Sequence, residues 1–257
     1  MDGFDWRAYD HYGFALVALV GTFAASWVLA TAMRRGPLVR FAASLEGVAP
    51  PFINIIGVLF ALTLAFLAND TWSAHDRTIS AVTREADGLH AVVSLTRGLP
   101  DTVRERLDGA IDAYAHSAVE VEWPRLAKRR HAEETTRFSD RLLGIVATGE
   151  VGAALGPAVH GEVLKQVIVV REARDQRIAL SQTHVNPLKW LGMAFLGFVT
   201  MLSVAVVHVA HPRAALTAIW LFALAAAPTA AIVLVQGNPF EQPTTVSPAP
   251  IAALIRR

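Results

Sequence analysis

His208 and His211 stand three residues apart at the end of an apolar window, and at helical spacing two imidazoles on one face can share a metal ion. No HExxH pattern and no neighbouring carboxylate cluster accompanies them, so they read as interfacial histidines. His75, Asp76 and Arg77 offer the letters of an acid–base trio. Consecutive residues point different ways around a helix, which keeps such a trio from sharing one reaction centre. The chain has no cysteine, which excludes disulfides, thiolate catalysis and cysteine-ligated metals. It also lacks a phosphate-cradling glycine loop, a GxSxG elbow and a dinucleotide fingerprint. The reading is therefore not an enzyme, with no catalytic residues, no cofactor and no metal.

The densest charge lies at Arg171, Arg174 and Arg177, interleaved with Glu172 and Asp175; Arg84 and Glu85 occupy a comparable place on another helix. Two uses fit these residues: ion pairs holding helices in register, or a vestibule that attracts anions. The spacing favours ion pairs, with Glu85 expected to meet the arginine cluster. The net charge is +1, with both signs mixed through the polar middle, so nothing points to nucleic acid.

The elements that must position these residues are mostly apolar. Hydrophobic residues make up 53% of the 257, concentrated in windows 14–33, 52–68, 191–210 and 214–235. Each is long enough to cross a hydrocarbon core, which needs about 17–25 residues. The expected fold class is an all-α membrane protein with four transmembrane helices and a helical-bundle insert between the second and third. The expected division is 1–69 for an N-terminal tail and two spans, 70–187 for the bundle, 188–236 for two further spans and 237–257 for a tail. The first window follows Asp2, Asp5 and Asp10 with a single Arg7, is too long for a signal h-region, and reads as a retained span. Trp6 and Tyr12 suit the membrane interface beside it.

The window 52–68 is the centre of the reading. On a helical wheel Gly57, Ala61, Ala65 and Ala68 gather on one side, and Ile55, Leu59, Leu62 and Phe66 on the other. Small residues spaced by four allow close helix approach, so the Gly57 face is the expected packing seam. That leaves the bulky stripe for lipid or a central axis. Pro50 and Pro51 should end any helix before this span. Beyond it, Ile79, Val82, Ala86, Leu89, Val93 and Thr96 continue at helical spacing to Gly98, so the span should run outward as one long helix. Asp101 is the expected N-cap of a second bundle helix with Val103, Leu107, Ile111, Tyr114, Ala118 and Val121 on its core face, closed by Trp123 and ended near Pro124. A shorter helix with Leu142, Leu143 and Val146 should stop at Gly149 and Gly152. From about Val159 a long helix with Val163, Val167, Val170 and Ile178 inside should lead to the third span. Pro228 should kink the fourth span, and the Pro- and Thr-rich tail shows no regular structure.

The short loop holding Arg34, Arg35 and Arg40 against Glu46 sits, by the positive-inside rule, on the cytoplasmic side, which puts the bundle outside. Arg77, Arg84, Arg256 and Arg257 argue the other way.

The second-span exit LAFLANDTWSAHDR, the run TREADGLHAVV and the tail GNPFEQPTTVSPAPI resemble the bestrophin-like domain family of bacterial membrane proteins, over nearly the whole length. Phe66 with Asn69 is similar to the Phe and Asn at the second-span exit of bestrophins, and Asn238, Pro239 and Phe240 to their tail motif. The resemblance implies a homo-oligomeric anion channel, a pentamer passing chloride or another small anion, with an apolar neck on the second span at Ile55, Leu59, Leu62 and Phe66. It also implies a multi-pass protein of the bacterial inner membrane with a cytoplasmic bundle, the reverse of the charge rule. Where bestrophins carry an acidic run after the tail motif, this chain has Glu241, Gln242 and Pro243, so calcium gating is not implied. The other reading is a membrane-anchored scaffold or sensor that binds a protein partner through its bundle and transports nothing.

Overall fold

The computed structural model describes residues 10–33, 49–182 and 186–255. Arg7, Trp6, the loop with Arg34, Arg35, Arg40 and Glu46, and Arg256 and Arg257 lie outside them. Among the described residues all regular structure is helical. The helices are α1 (Asp10–Ala32), α2 (Ala49–Leu95), α3 (Asp101–His116), a π turn (Ser117–Glu122), α4 (Trp123–Ala127), α5 (Glu133–Val146), α6 (Gly149–Ser181), α7 (Pro187–Val207), α8 (Pro212–Val235) and α9 (Ala249–Ala252). Five of them, α1, α2, α6, α7 and α8, are long and apolar enough to cross a membrane. The fifth, α6, was not among the four windows.

The chain forms two compact units, Met1–Trp72 with His184–Gly237 and Ser73–Thr183 with Asn238–Arg257. In the first, Leu29, Met201, Ala205 and Ile219 form one core and Phe60, Leu67, Met193 and Ala230 another. Phe60 lies 5.4 Å from Phe222, and Phe23 stacks on Trp220 at 6.1 Å. Hydroxyls along these apolar helices are spent internally: Thr22, Thr63, Thr200 and Thr229 each donate to the carbonyl four residues back. A hydroxyl left unpaired in hydrocarbon would be costly, so this is the expected solution. Asn186 caps α7, its side chain accepting from the Leu188 and Lys189 amides.

The packing seam of α2 differs from the expected one. Of the expected seam only Ala68 is buried; Phe60 and Leu67 are buried and Leu64 packs with them, while Ala61 and Ala65 are exposed and a Cβ added at Gly57 would meet nothing within 4 Å. The reason lies on the facing helix: Gly197 of α7 supplies the missing volume, with the Phe60 ring 3.0 Å from where its Cβ would stand. The small residue of the contact is on α7, so α2 brings its large ones.

In the second unit Leu89, Leu107, Ile111, Tyr114, Leu142, Val163, Val167 and Val170 form the main core. Each fully buried leucine contributes about 1.5–3 kcal/mol. Ile79, expected on this face, is instead exposed. Gly88 lets α2 and α6 touch: its Cβ would stand 2.8 Å from Val170 Cγ2 and 3.3 Å from the Gln166 carbonyl oxygen.

Several helix ends differ from expectation. Ala49 opens α2, so Pro50 and Pro51 lie in its first turn, where a missing amide donor costs nothing. Pro100 is the N-cap of α3; Asp101 lies in the first turn and pairs with Arg104. That helix does not end at Pro124. It widens into the π turn and resumes as α4 with Pro124 at its start, where no intrahelical donor is required. Gly149 and Gly152 do not stop α5 but begin α6, which bends at Gly156 (φ 74°) before Pro157. α8 runs through Pro228. The tail is ordered into the second core by Phe240, Val246 and Ile251, with a short helix at its end.

Candidate functional site

Two features stand out, one in each unit. The first is the stripe on α2, whose side chains remain uncovered by the chain itself: Ile55 is 57% exposed, Leu59 48%, Leu62 50% and Phe66 69%. Nothing polar interrupts the stripe until Asn69 and Asp70, and Asp70 accepts from Lys189 Nζ at 2.8 Å.

The second is a buried charge network in the bundle. The core stripes of three helices each carry an ionic residue among apolar neighbours: Glu85 beside Val82 and Ala86 on α2, Glu122 four residues past Ala118, and Arg174 and Arg177 past Val170 on α6. Glu85 and Arg177 are fully buried, and Arg177 grips the carboxylate side-on, Nε to Oε2 at 2.8 Å and Nη2 to Oε1 at 2.9 Å. The Tyr114 hydroxyl donates to the same Oε1 at 2.7 Å. Glu122, fully buried, takes Arg174 through both oxygens at 3.1 and 2.6 Å and also accepts from Arg177 Nη2 at 3.1 Å. Arg174 further reaches the Ala132 carbonyl and Thr136, and the Ala132 amide donates to Glu122. Two arginines thus meet two carboxylates, and the network is neutral. Arg177 Nη1 has no hydrogen-bond acceptor among the described residues, but its guanidinium lies 5.2 Å from the Trp123 ring centre, a cation–π contact.

The electrostatics follow from this arrangement. Burial alone would raise the Glu122 pKa, but the Arg174 hydrogen bonds and the charges of Arg177 and Arg174 hold it below the ordinary value of 4.5. Burial, helped by the Glu85 charge, pushes the Tyr114 phenol well above its ordinary 10.0, so it stays protonated and donates.

The remaining candidates are dispersed. Arg171, half-exposed, pairs with Asp140 at 3.0 Å, and Arg84, exposed, bonds Gln176. The tail residues Asn238, Pro239 and Phe240 reach the network from behind: Asn238 Nδ2 donates to the Ala127 carbonyl, its Oδ1 accepts from the Phe240 amide, and Phe240 meets Trp123 edge-on at 5.3 Å. His208 bonds the Val204 carbonyl, and no group of three ligand-type residues is placed for a metal among the described residues. Glu122, Tyr114 and Trp123 as partners of Arg174 and Arg177 were not anticipated. A carboxylate at the i+4 position of an apolar stripe was the available signal.

The sequence profile of the bestrophin-like domain matches residues 20–251. The chain belongs to the bestrophin-like domain family. No curated protein matches it. A bacterial bestrophin homologue from Klebsiella pneumoniae, solved as two point variants, shares this fold at TM-score 0.62 and 13% identity in both cases. The alignments cover 93% and 94% of this chain and 96% of each homologue. A crystal structure described only as a membrane protein superposes at TM-score 0.63 with 13% identity, over 94% of this chain and 96% of that one. At such identity the likeness establishes the fold. With its apolar helices, the bestrophin-like chain is a multi-pass membrane protein. The matched region contains both the α2 stripe and the buried network, and its last residue, Ile251, is fully buried in the second core.

Proposed function

We propose that the protein is a homo-oligomeric membrane channel passing a small anion such as chloride, with Ile55, Leu59, Leu62 and Phe66 forming an apolar neck around a central axis. The carrying observation is the α2 stripe: four bulky residues in register, 48–69% exposed, on a helix that buries Phe60 and Leu67 on a different face. A ring of such residues resists ions by dewetting, so trimming it eases passage. Family membership supports a channel. In this reading α1, the first part of α2, α7 and α8 are the four spans. α6 belongs to the extramembrane bundle, because it buries Arg174 and Arg177 against Glu122 and Glu85. Residues 70–187 and the tail 237–257 then stand outside the bilayer, which is the inner membrane of a bacterium. A pentamer is the assembly the family resemblance suggests.

One observation favours the scaffold reading. Arg174 and Arg177 are neutralised where they stand, so they offer no free charge to draw an anion. Purified protein in planar bilayers under a chloride gradient separates the two. Leu59→Ala with Leu62→Ala should enlarge anion-selective current, whereas Leu221→Ala, on an exposed face of α8, should not. A monomer or dimer silent in every form would leave the scaffold.

A further inference from the structure

Inside the first unit two apolar spaces adjoin. A cavity of about 280 Å³ is walled by Gly21, Phe60, Gly197, Met201, Phe222 and Ala226. A groove of about 490 Å³ runs beside it along α2 and α8 from Trp72, and shares Phe60, Phe222 and Ala226 as wall. The Phe60 and Phe222 rings, 5.4 Å apart, stand where the two meet. The cavity alone is nearly twice the roughly 150 Å³ apolar void that stays dry and takes up benzene. Thr22 on its wall spends its hydroxyl proton on the Ala18 carbonyl, and Ser26 next to it bonds the Thr22 carbonyl and Met201 sulfur, so water finds no free donor there. The space calls for apolar matter.

We propose that the groove and cavity hold one acyl chain of a bilayer phospholipid. This rests on the multi-pass character of the protein and is independent of whether it conducts ions. Three observations select that occupant. The first is length: Trp72 and Phe60 are twelve residues apart on one helix, about 18 Å, close to one leaflet of a ~30 Å hydrocarbon core. The second is polarity along that length. Trp72 donates its indole N–H to Gln236 Oε1 at 2.9 Å, a polar end suited to headgroup depth, and everything beyond it is apolar but for Thr229, whose hydroxyl is bonded to Ala225. The third is the floor of the path, where Ala61, Ala65 and Ala225 leave a channel too shallow for a helix bearing large side chains. Gly21 contributes equally, since its Cβ position meets nothing within 4 Å.

The test is photolabelling of the full-length protein in vesicles containing phosphatidylethanolamine with a diazirine in one acyl chain, with adducts located by mass spectrometry. Adducts should concentrate at Gly21, Phe60 and Ala226, and saturate as unlabelled phosphatidylethanolamine is added. Ala226→Leu and Gly21→Leu, which fill the space, should each reduce them at least fivefold while labelling at exposed Leu191 stays unchanged. Gly21→Leu has room to fold if Ala226→Leu does not, and saturation in the parent decides the matter if neither folds. Adducts spread evenly over all exposed apolar residues, or labelling that never saturates, would each overturn the proposal.

Discussion

Glu122 decides the chemistry of the bundle interior because, among the described residues, it alone hydrogen-bonds both Arg174 and Arg177. Removing one carboxylate from a buried neutral set leaves an uncompensated guanidinium, which costs about 3–5 kcal/mol. Glu122→Gln should therefore lower the denaturation midpoint clearly in detergent, and Glu85→Gln should do the same from the other side of Arg177. An unchanged melt for both would mean that these charges are solvated. The pH dependence has a definite sign. Glu122 has a depressed pKa in the fold, so its contribution is fully present above the ordinary 4.5 and is lost as pH falls through the lower native value. The parent should lose stability on acidification below that point, and Glu122→Gln should flatten this slope. Tyr114 works in the opposite sense: its raised pKa means stability is present below the ordinary 10.0 and is lost as the unfolded phenol ionises above it. Tyr114→Phe should remove the alkaline loss and cost about 1.5–3 kcal/mol at neutral pH for a hydrogen bond to a charged acceptor.

Among the helices, α2 does the most varied work, and two of its glycines report how. Gly88 stands where α2 meets α6 at backbone distance, so Gly88→Ala forces a methyl into Val170 and the Gln166 carbonyl and should cost about 1–3 kcal/mol. Gly57 meets nothing, so Gly57→Ala should be neutral or stabilising by about 0.5–1 kcal/mol through helix propensity alone. Thermal melts of the two variants check the seam directly; a large loss at Gly57 would mean that the face is covered in the assembled protein.

For the assembled protein, the four-span reading predicts that residues 1–12, the bundle and the tail share one side of the membrane. The chain lacks cysteine, so single cysteines introduced at Ser73, Ala147, Ser247 and Ala43 can be labelled with an impermeant thiol reagent. The first three should react from one side and Ala43 from the other. Ala43 reacting with the rest would overturn the four-span reading, and Ser247 reacting from the side opposite to Ser73 and Ala147 would place α6 in the membrane and raise the count to five spans. Mass measurement in mild detergent should give a ring of identical subunits, since a pore on a central axis requires one.

Amino-acid order by itself determined the helical class, because long charge-free windows and three-to-four spacing are properties of single elements. It also determined the core faces of the bundle: Val82, Leu89, Leu107, Ile111, Tyr114, Val163 and Val167 are all fully buried. Arg174, Arg177 and Glu85 could be named as charges worth pairing for the same reason. Which carboxylate meets which arginine, and whether Trp123 and Phe240 lie beneath them, depends on how α2, α6 and the π turn cross. No single helix carries that information. The seam of α2 shows the limit most plainly: periodicity marks a small face and a large one, but the face that is covered holds Phe60, Leu64 and Leu67, and Gly197 on another helix, whose missing side chain admits Phe60, is what selects it. Packing is a property of pairs of surfaces, and a sequence lists only one surface at a time.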